Sequence, residues 1–179
     1  TYAIGGTNGP GPFKILNNYL EAAGENILFG GAAPAIPGLV PSDIEIRHNT
    51  FFKPFSWRVG HPAYLGKHWT IKNLFELKTG KRVLLNGNRM ENVWADLPVG
   101  QSGYAIVLTV RNEGGGAPQA DVSDITITNN IIRHAGAGIS ISGHDNPGPS
   151  QQSRRIKIAN NMWDDIDGAE YGAYHRHHE

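Results

Sequence analysis

Apolar residues recur at every second position in short runs along this chain, and the runs stop at asparagines. Ile125 and Ile127 alternate with Thr126 and Thr128 and then meet Asn129 and Asn130; further on, Ile139 and Ile141 alternate with Ser140 and Ser142. A period of two sends alternate side chains to opposite sides of an extended strand, so the stretch predicts two strands, each with one apolar side. The link between them is too long for a tight hairpin and too short for a helical crossover, so the chain bends there without reversing. Asparagine suits such a bend because it tolerates left-handed backbone and its amide bonds to nearby main chain.

The same order of apolar, any, apolar, any, any, Asn, any, apolar occurs at 13–20, 44–51, 83–90, 125–132 and 156–163, which places the asparagine at Asn18, Asn49, Asn88, Asn130 and Asn161. These are 31, 39, 42 and 31 residues apart, spacings typical of solenoid repeats in which one bend is kept and the loops vary. After four of the five a second alternating run follows, at 25–31, 73–79, 104–110 and 138–144. The repeating unit is therefore strand, Asn bend, short apolar step, loop, strand, loop.

These repeats resemble the coils of a right-handed parallel β-helix, the fold of pectate lyases and many other extracellular polysaccharide-active proteins, over residues 13 to about 167. The segments "ENILFGG" and "PSDIEIRHNTFFKP" are also similar to secreted bacterial β-helix repeat proteins, a likeness that carries no activity with it. The resemblance implies an all-β solenoid of about five coils, an Asn ladder in which the bend amides of successive coils stack, and a secreted or cell-surface location.

Composition narrows this only slightly. The 23 Gly and 11 Pro among 179 residues fit short strands joined by many turns. Formal net charge is zero and no basic stretch occurs, so no nucleic-acid partner is expected. No apolar run approaches the roughly 20 residues of a membrane span. The absence of Cys neither requires nor forbids an oxidising compartment. The chain starts with Thr and shows no signal peptide, which reads as a processed or excised product. Parallel coils expose strand edges and apolar core at both ends of the stack, and neither an amphipathic helix before residue 13 nor the short polar tail after the last coil reads as a cap. One β-helix domain over 1–179 is expected, either part of a longer chain or a protomer that self-associates through open ends bearing Ile156, Ile158 and Trp163.

Candidate chemistry follows from the alternation. With Ile27, Phe29, Phe75, Leu77, Ile106, Leu108, Ile139 and Ile141 pointing inward, the outward rows are Leu28, Glu76, Val107, Ser140 and Gly30, Lys78, Thr109, Ser142, with successive coils about 4.8 Å apart. Loops 53–72 and 95–103 wall one side of this face, and loops 30–42, 111–123 and 143–154 the other, making a groove suited to an extended polysaccharide. Glu76, Lys78, Arg111, Glu113, His144 and Asp145 supply acid, base and cation there. A lyase would use Lys78 or Arg111 as base or anion stabiliser. A glycosidase would use two carboxylates, about 5 Å apart for retention or up to about 9 Å for inversion, here Glu76 with Glu113. Equally, Glu76 and Lys78 form a solvated ion pair on one strand. Thr109 and Ser142 are candidate substrate contacts. Trp57, Tyr64 and Trp69 in the inserted loop stack on sugar faces or anchor the loop to the coil.

Metal chemistry is weakly signalled. Asp164, Asp165, Asp167 and Glu170 offer hard oxygen ligands for calcium without the ligand run of an EF-hand, and serve a terminal turn as well. His175, His177 and His178 suit a transition metal or a frayed tail. The lyase family's acidic cluster beside a central arginine is missing, which speaks against calcium-dependent pectate cleavage; no cofactor is expected, with calcium in the acidic turn as the alternative. Two readings stand: a carbohydrate-active enzyme working in the groove, and a non-catalytic glycan-binding or structural surface module.

Overall fold

A computed structural model describes residues 2–32 and 38–172. After β1 (Ile4–Gly6) the chain winds through β2 (Phe13–Leu16), β3 (Tyr19–Glu21) and β4 (Ile27–Phe29), then β5 (Ser42–Arg47), β6 (Thr50–Phe52) and β7 (Phe75–Leu77). The next turn carries β8 (Gly80–Asn86), β9 (Arg89–Val93), the two-residue hairpin strands β10 (Ala95–Asp96) and β11 (Gln101–Ser102), and β12 (Tyr104–Leu108). β13 (Val122–Thr128), β14 (Ile131–Ala135), β15 (Ala137–Ile141), β16 (Arg154–Ala159) and β17 (Met162–Ile166) complete the stack.

Three parallel sheets of five strands result. Sheet I runs β2-β5-β8-β13-β16, sheet II β3-β6-β9-β14-β17 and sheet III β1-β4-β7-β12-β15. This is a right-handed parallel β-helix of about five coils. The short apolar step after each asparagine is itself a strand, so a coil has three strands rather than two; runs of three to five residues were too short to show alternation in the sequence. β1 was missed for the same reason, its Gly5 and Gly6 hiding the pattern.

The core is the set of inward positions. Ile44 and Ile46, Val83 and Leu85, and Ile125 and Ile127 fill it from sheet I, Phe51, Met90 and Ile132 from sheet II, and Ile27, Phe29, Phe75, Leu77, Ile106 and Leu108 from sheet III. Ile141 departs from the inward row and is 47% exposed, because it ends the outermost strand of sheet III and, among the described residues, no strand stacks beyond it. Ile158 and Trp163 on the last coil are likewise over a third exposed, while Ile156 packs against the core.

Two bends and one buried cation hold the coils in phase. Between sheets I and II the residue before each repeat asparagine is left-handed, at Asn17, His48, Gly87, Asn129 and Asn160. The next residue bonds to the following coil. Asn88 Oδ1 accepts from the backbone N (2.9 Å) and Nδ2 (3.1 Å) of Asn49, and Asn130 Oδ1 accepts from the same two groups of Asn88 at 2.9 and 3.0 Å. Asn18 donates likewise to Asn49, and Asn130 to Asn161. Each interior Nδ2 also donates to a carbonyl of sheet I, such as Ile46 O from Asn88 and Leu85 O from Asn130.

At the entry to sheet I a second left-handed row consists of Asp43, Arg82, Asp124 and Arg155. Arg82 grips Asp43 with two bonds of 2.6 and 2.7 Å, and Arg155 grips Asp124 in the same way at 2.5 and 2.7 Å. After sheet II, Lys53 is fully buried and its Nζ donates to Ala22 O (2.6 Å), Ala23 O (3.1 Å), Gly24 O and Asn26 Oδ1 (2.9 Å). An ammonium brings three hydrogens to these four oxygens where a neutral amine brings two. Burial works against the charge and lowers the Lys53 pKa to about 7, while the Glu25 carboxylate opposes that shift.

Candidate functional site

The strand register of sheet III aligns Leu28, Glu76, Val107 and Ser140 across four coils. One step beyond, the N–H groups of Lys78, Thr109 and Ser142 donate to Phe29 O, Leu77 O and Leu108 O. The rows read from the alternation thus lie side by side on one face, but their groups are not free reagents.

Arg111 NH1 bonds Asp145 Oδ1 at 2.7 Å, and the other Asp145 oxygen accepts the Asn112 backbone N–H at 2.7 Å. That N–H, followed by the Arg111 guanidinium, holds the Asp145 carboxyl below the usual carboxylate range. The pair fastens the loop after β12 to the loop after β15. His144 beside it is exposed, and Thr109 is half-buried. Glu113 faces Lys78 Nζ at 3.8 Å and leaves Oε1 buried without a hydrogen bond, as Ser142 Oγ is.

Glu76 is the main departure. It is only 7% exposed, so it is no solvated partner of Lys78, and its carboxyl neighbour is Glu25 rather than Glu113. The two carboxyls lie close enough to perturb each other, which favours one proton on the pair over two negative charges. Burial pushes Glu76 up to about 7; Lys78 pulls it down and the Glu25 charge pushes it up again. Burial also acts to raise Glu25, but the Lys72 ammonium, 2.9 Å away, outweighs it and leaves Glu25 the ionised partner. Beside the pair lies a cavity of about 390 Å³ lined by Tyr2, Glu25, Leu28, Thr70, Lys72 and Lys78, among others. Glu25 and Lys72 were not legible as site residues. Glu25 opens the run at 25–31 on the side the alternation of Ile27 and Phe29 turns inward, Lys72 precedes the run at 73–79, and only the register that sets Leu28 beside Glu76 brings them to that carboxyl.

This pair makes stability depend on pH. A Glu76 pKa raised from 4.5 to about 7 means that the folded chain holds a proton the unfolded chain has released across that window. The stabilising contribution is complete below the unfolded value and is lost as pH rises through about 7. Glu76→Gln should therefore flatten the decline between about pH 5 and pH 8, gaining about 2 kcal/mol on the wild type at the upper end, as read by urea unfolding. Parallel curves for the two proteins would remove the shared proton.

The inserted loop after β6 forms a second concavity, of about 210 Å³. Trp57 and Trp69 line it with ring centroids 5.8 Å apart at 39°, and Trp94, Leu97, Arg58 and Glu170 complete the wall. Lys67 Nζ lies 4.2 Å over the outer Trp69 ring. His68 Nε2 contacts Asp96 Oδ1 at 2.9 Å, and the other Asp96 oxygen accepts the Ile71 N–H at 3.1 Å. Trp57 also packs on the core, so anchoring and cleft lining coexist in one side chain. Tyr64 is outside the cleft, half-buried in the turn closed by its own N–H to His61 O. The cleft's far wall is the turn after β17: Arg58 bonds Glu170 Oε1 at 2.6 Å, Phe55 stacks on Tyr171, and Tyr171 O accepts the Ala95 N–H at 2.7 Å. A methyl group on Gly136 would stand 2.8 Å from that same Tyr171 oxygen, so this close approach needs glycine.

The four acids proposed for calcium do not converge. Asp164 is 3.5 Å from Arg133, Asp165 accepts from Tyr171 and contacts His134, Asp167 caps the N–H groups of Ala169 and Glu170, and Glu170 holds Arg58. Among the described residues no three acidic or histidine side chains gather as metal ligands. His175, His177 and His178 lie outside the described residues. Among the described residues, too, no helix is long and apolar enough to cross a membrane.

Comparison with protein-family models, with curated proteins and with solved structures gives no match to this chain.

Proposed function

We propose that this chain is a secreted or cell-surface bacterial β-helix of the pectate lyase-like superfamily that binds polysaccharide without cleaving it. The observation that carries the reading is the loop cleft, where tilted Trp57 and Trp69 rings stand beside Arg58 and the His68–Asp96 pair. Aromatic faces stack on the apolar faces of sugar rings, and fixed polar groups take their hydroxyls. Against catalysis stands the use already made of the reagents: Arg111 and Asp145 are bonded to each other, and Lys78 lies nearest to Glu113. Glu76 and Glu25 are both buried, and the carboxyl that neighbours Glu76 is Glu25 rather than Glu113, an arrangement that does not offer the open carboxylate pair of a glycosidase.

The test is calorimetric titration of the wild type, Trp69→Ala and Arg111→Ala with neutral and acidic polysaccharides, with parallel assays for unsaturated and reducing ends. Trp69→Ala should weaken binding roughly tenfold, and no new ends should form. Product formation that collapses in Arg111→Ala while binding holds would restore the enzymatic reading. A wild type that binds no glycan leaves the solenoid as a structural module.

A further inference from the structure

We infer that the cavity on sheet III beside Glu25 and Glu76 is a second binding site, separate from the loop cleft, that takes a small organic carboxylate between Lys72 and Lys78. The reasoning is an inventory of what faces the space. Its one charged acceptor, Glu25, is 2% exposed, already takes Lys72 Nζ at 2.9 Å and neighbours the Glu76 carboxyl. Of the remaining side-chain groups, the two ammoniums are donors only and the Tyr2 and Thr70 hydroxyls can donate. Lys72 spends one hydrogen on Glu25 and keeps two. Lys78 Nζ makes no hydrogen bond among the described residues, its nearest carboxylate oxygen being Glu113 Oε1 at 3.8 Å. The Tyr2 and Thr70 side chains also line the space.

Two ammoniums and two hydroxyls around a recess ask for an anion rich in acceptor oxygens. The side chains lining the recess carry one net positive charge, Lys72 and Lys78 against Glu25, which suits a monoanion. Glu113 lies outside that lining, 3.8 Å from Lys78 Nζ, while Glu76 is neutral when protonated and Lys53 lies enclosed beneath Gly24. At about 390 Å³ the recess holds more than a bare carboxylate, leaving room for a hydroxylated body. Burial and the Glu25 charge keep Glu76 protonated up to about 7, so its ionisation above that value adds a negative charge beside the ligand.

The experiment is titration of the full chain with acetate, glucuronate, glucose and inorganic phosphate from about pH 5.5 to about pH 8. Glucuronate should bind more tightly than acetate, with glucose and phosphate weaker than both, and glucuronate affinity should fall roughly tenfold as pH rises. Lys78→Met should lower it about tenfold at the acidic end, Glu76→Gln should make it independent of pH, and Trp69→Ala should leave it unchanged. Glu76→Gln keeps the shape and hydrogen-bonding capacity of the protonated side chain, so it reports even where Lys78→Met fails to fold. Equal affinity for glucose and glucuronate, preference for phosphate, or a pH profile that survives Glu76→Gln would overturn the inference. Glucuronate binding lost in Trp69→Ala would move the ligand to the loop cleft instead.

Discussion

Lys53→Met is expected to destabilise the fold by about 3 to 5 kcal/mol, lowering the melting temperature by on the order of 10 °C. Methionine matches the length of the lysine stem and keeps its packing, so the loss isolates the ammonium. Removing that group leaves Ala22 O, Ala23 O, Gly24 O and Asn26 Oδ1 without their common donor in a site closed to water. The carbonyls belong to the turn that leads β3 into β4, so the damage falls on the join between sheets II and III. Glu25 sits in the same turn, and its hold on Lys72 and Glu76 should loosen with it. Thermal unfolding followed by circular dichroism checks this; a change of a degree or less would show that the carbonyls find other donors.

Asn130→Leu is expected to cost about 2 to 3 kcal/mol, against a few tenths for the same change at Asn18. Asn130 is 1% exposed and its amide serves both neighbours, accepting from Asn88 and donating to Asn161 and Leu85 O. Leucine strands the Asn88 donors and the Leu85 carbonyl together. Asn18 is exposed at the end of the run, and its backbone N–H still reaches Asn49 Oδ1 when the side chain is gone. Equal losses at the two positions would mean that the bends act only through local turn geometry and not through the coil-to-coil bonds.

The alternation of Ile125 with Ile127 and of Phe75 with Leu77, together with one asparagine per repeat, sufficed to read the solenoid, its coil number and most of its inward row, though not that Ile141 is exposed or that Glu76 is buried. Those signals are local and periodic: side-chain direction along a strand follows from chain geometry, and a repeated bend must repeat its residue. The candidate sites were only half visible because they join residues from different coils. Lys78, Arg111 and Asp145 lie on or beside the sheet III face, yet whether Arg111 stayed free or met Asp145 depended on how two loops pack together. Trp57, Tyr64 and Trp69 were legible as the aromatic residues of one loop, while the structure brings only the two tryptophans to the cleft, and the Trp94, Glu170 and Tyr171 wall they meet comes from segments far along the chain.

By itself the sequence determined that this chain would coil, where its asparagine bends fall, and which alternating apolar side chains make up most of its interior, since each follows from a pattern within some ten residues. Tertiary structure alone decided that Glu76 would be buried against Glu25 and that Lys53 would close a turn from within, because stacking coils brings together residues 25 and 76, and 24 and 53, that no periodicity links. An ionisable group's character is set by the dielectric and the charges around it, and those exist only once the coils have stacked.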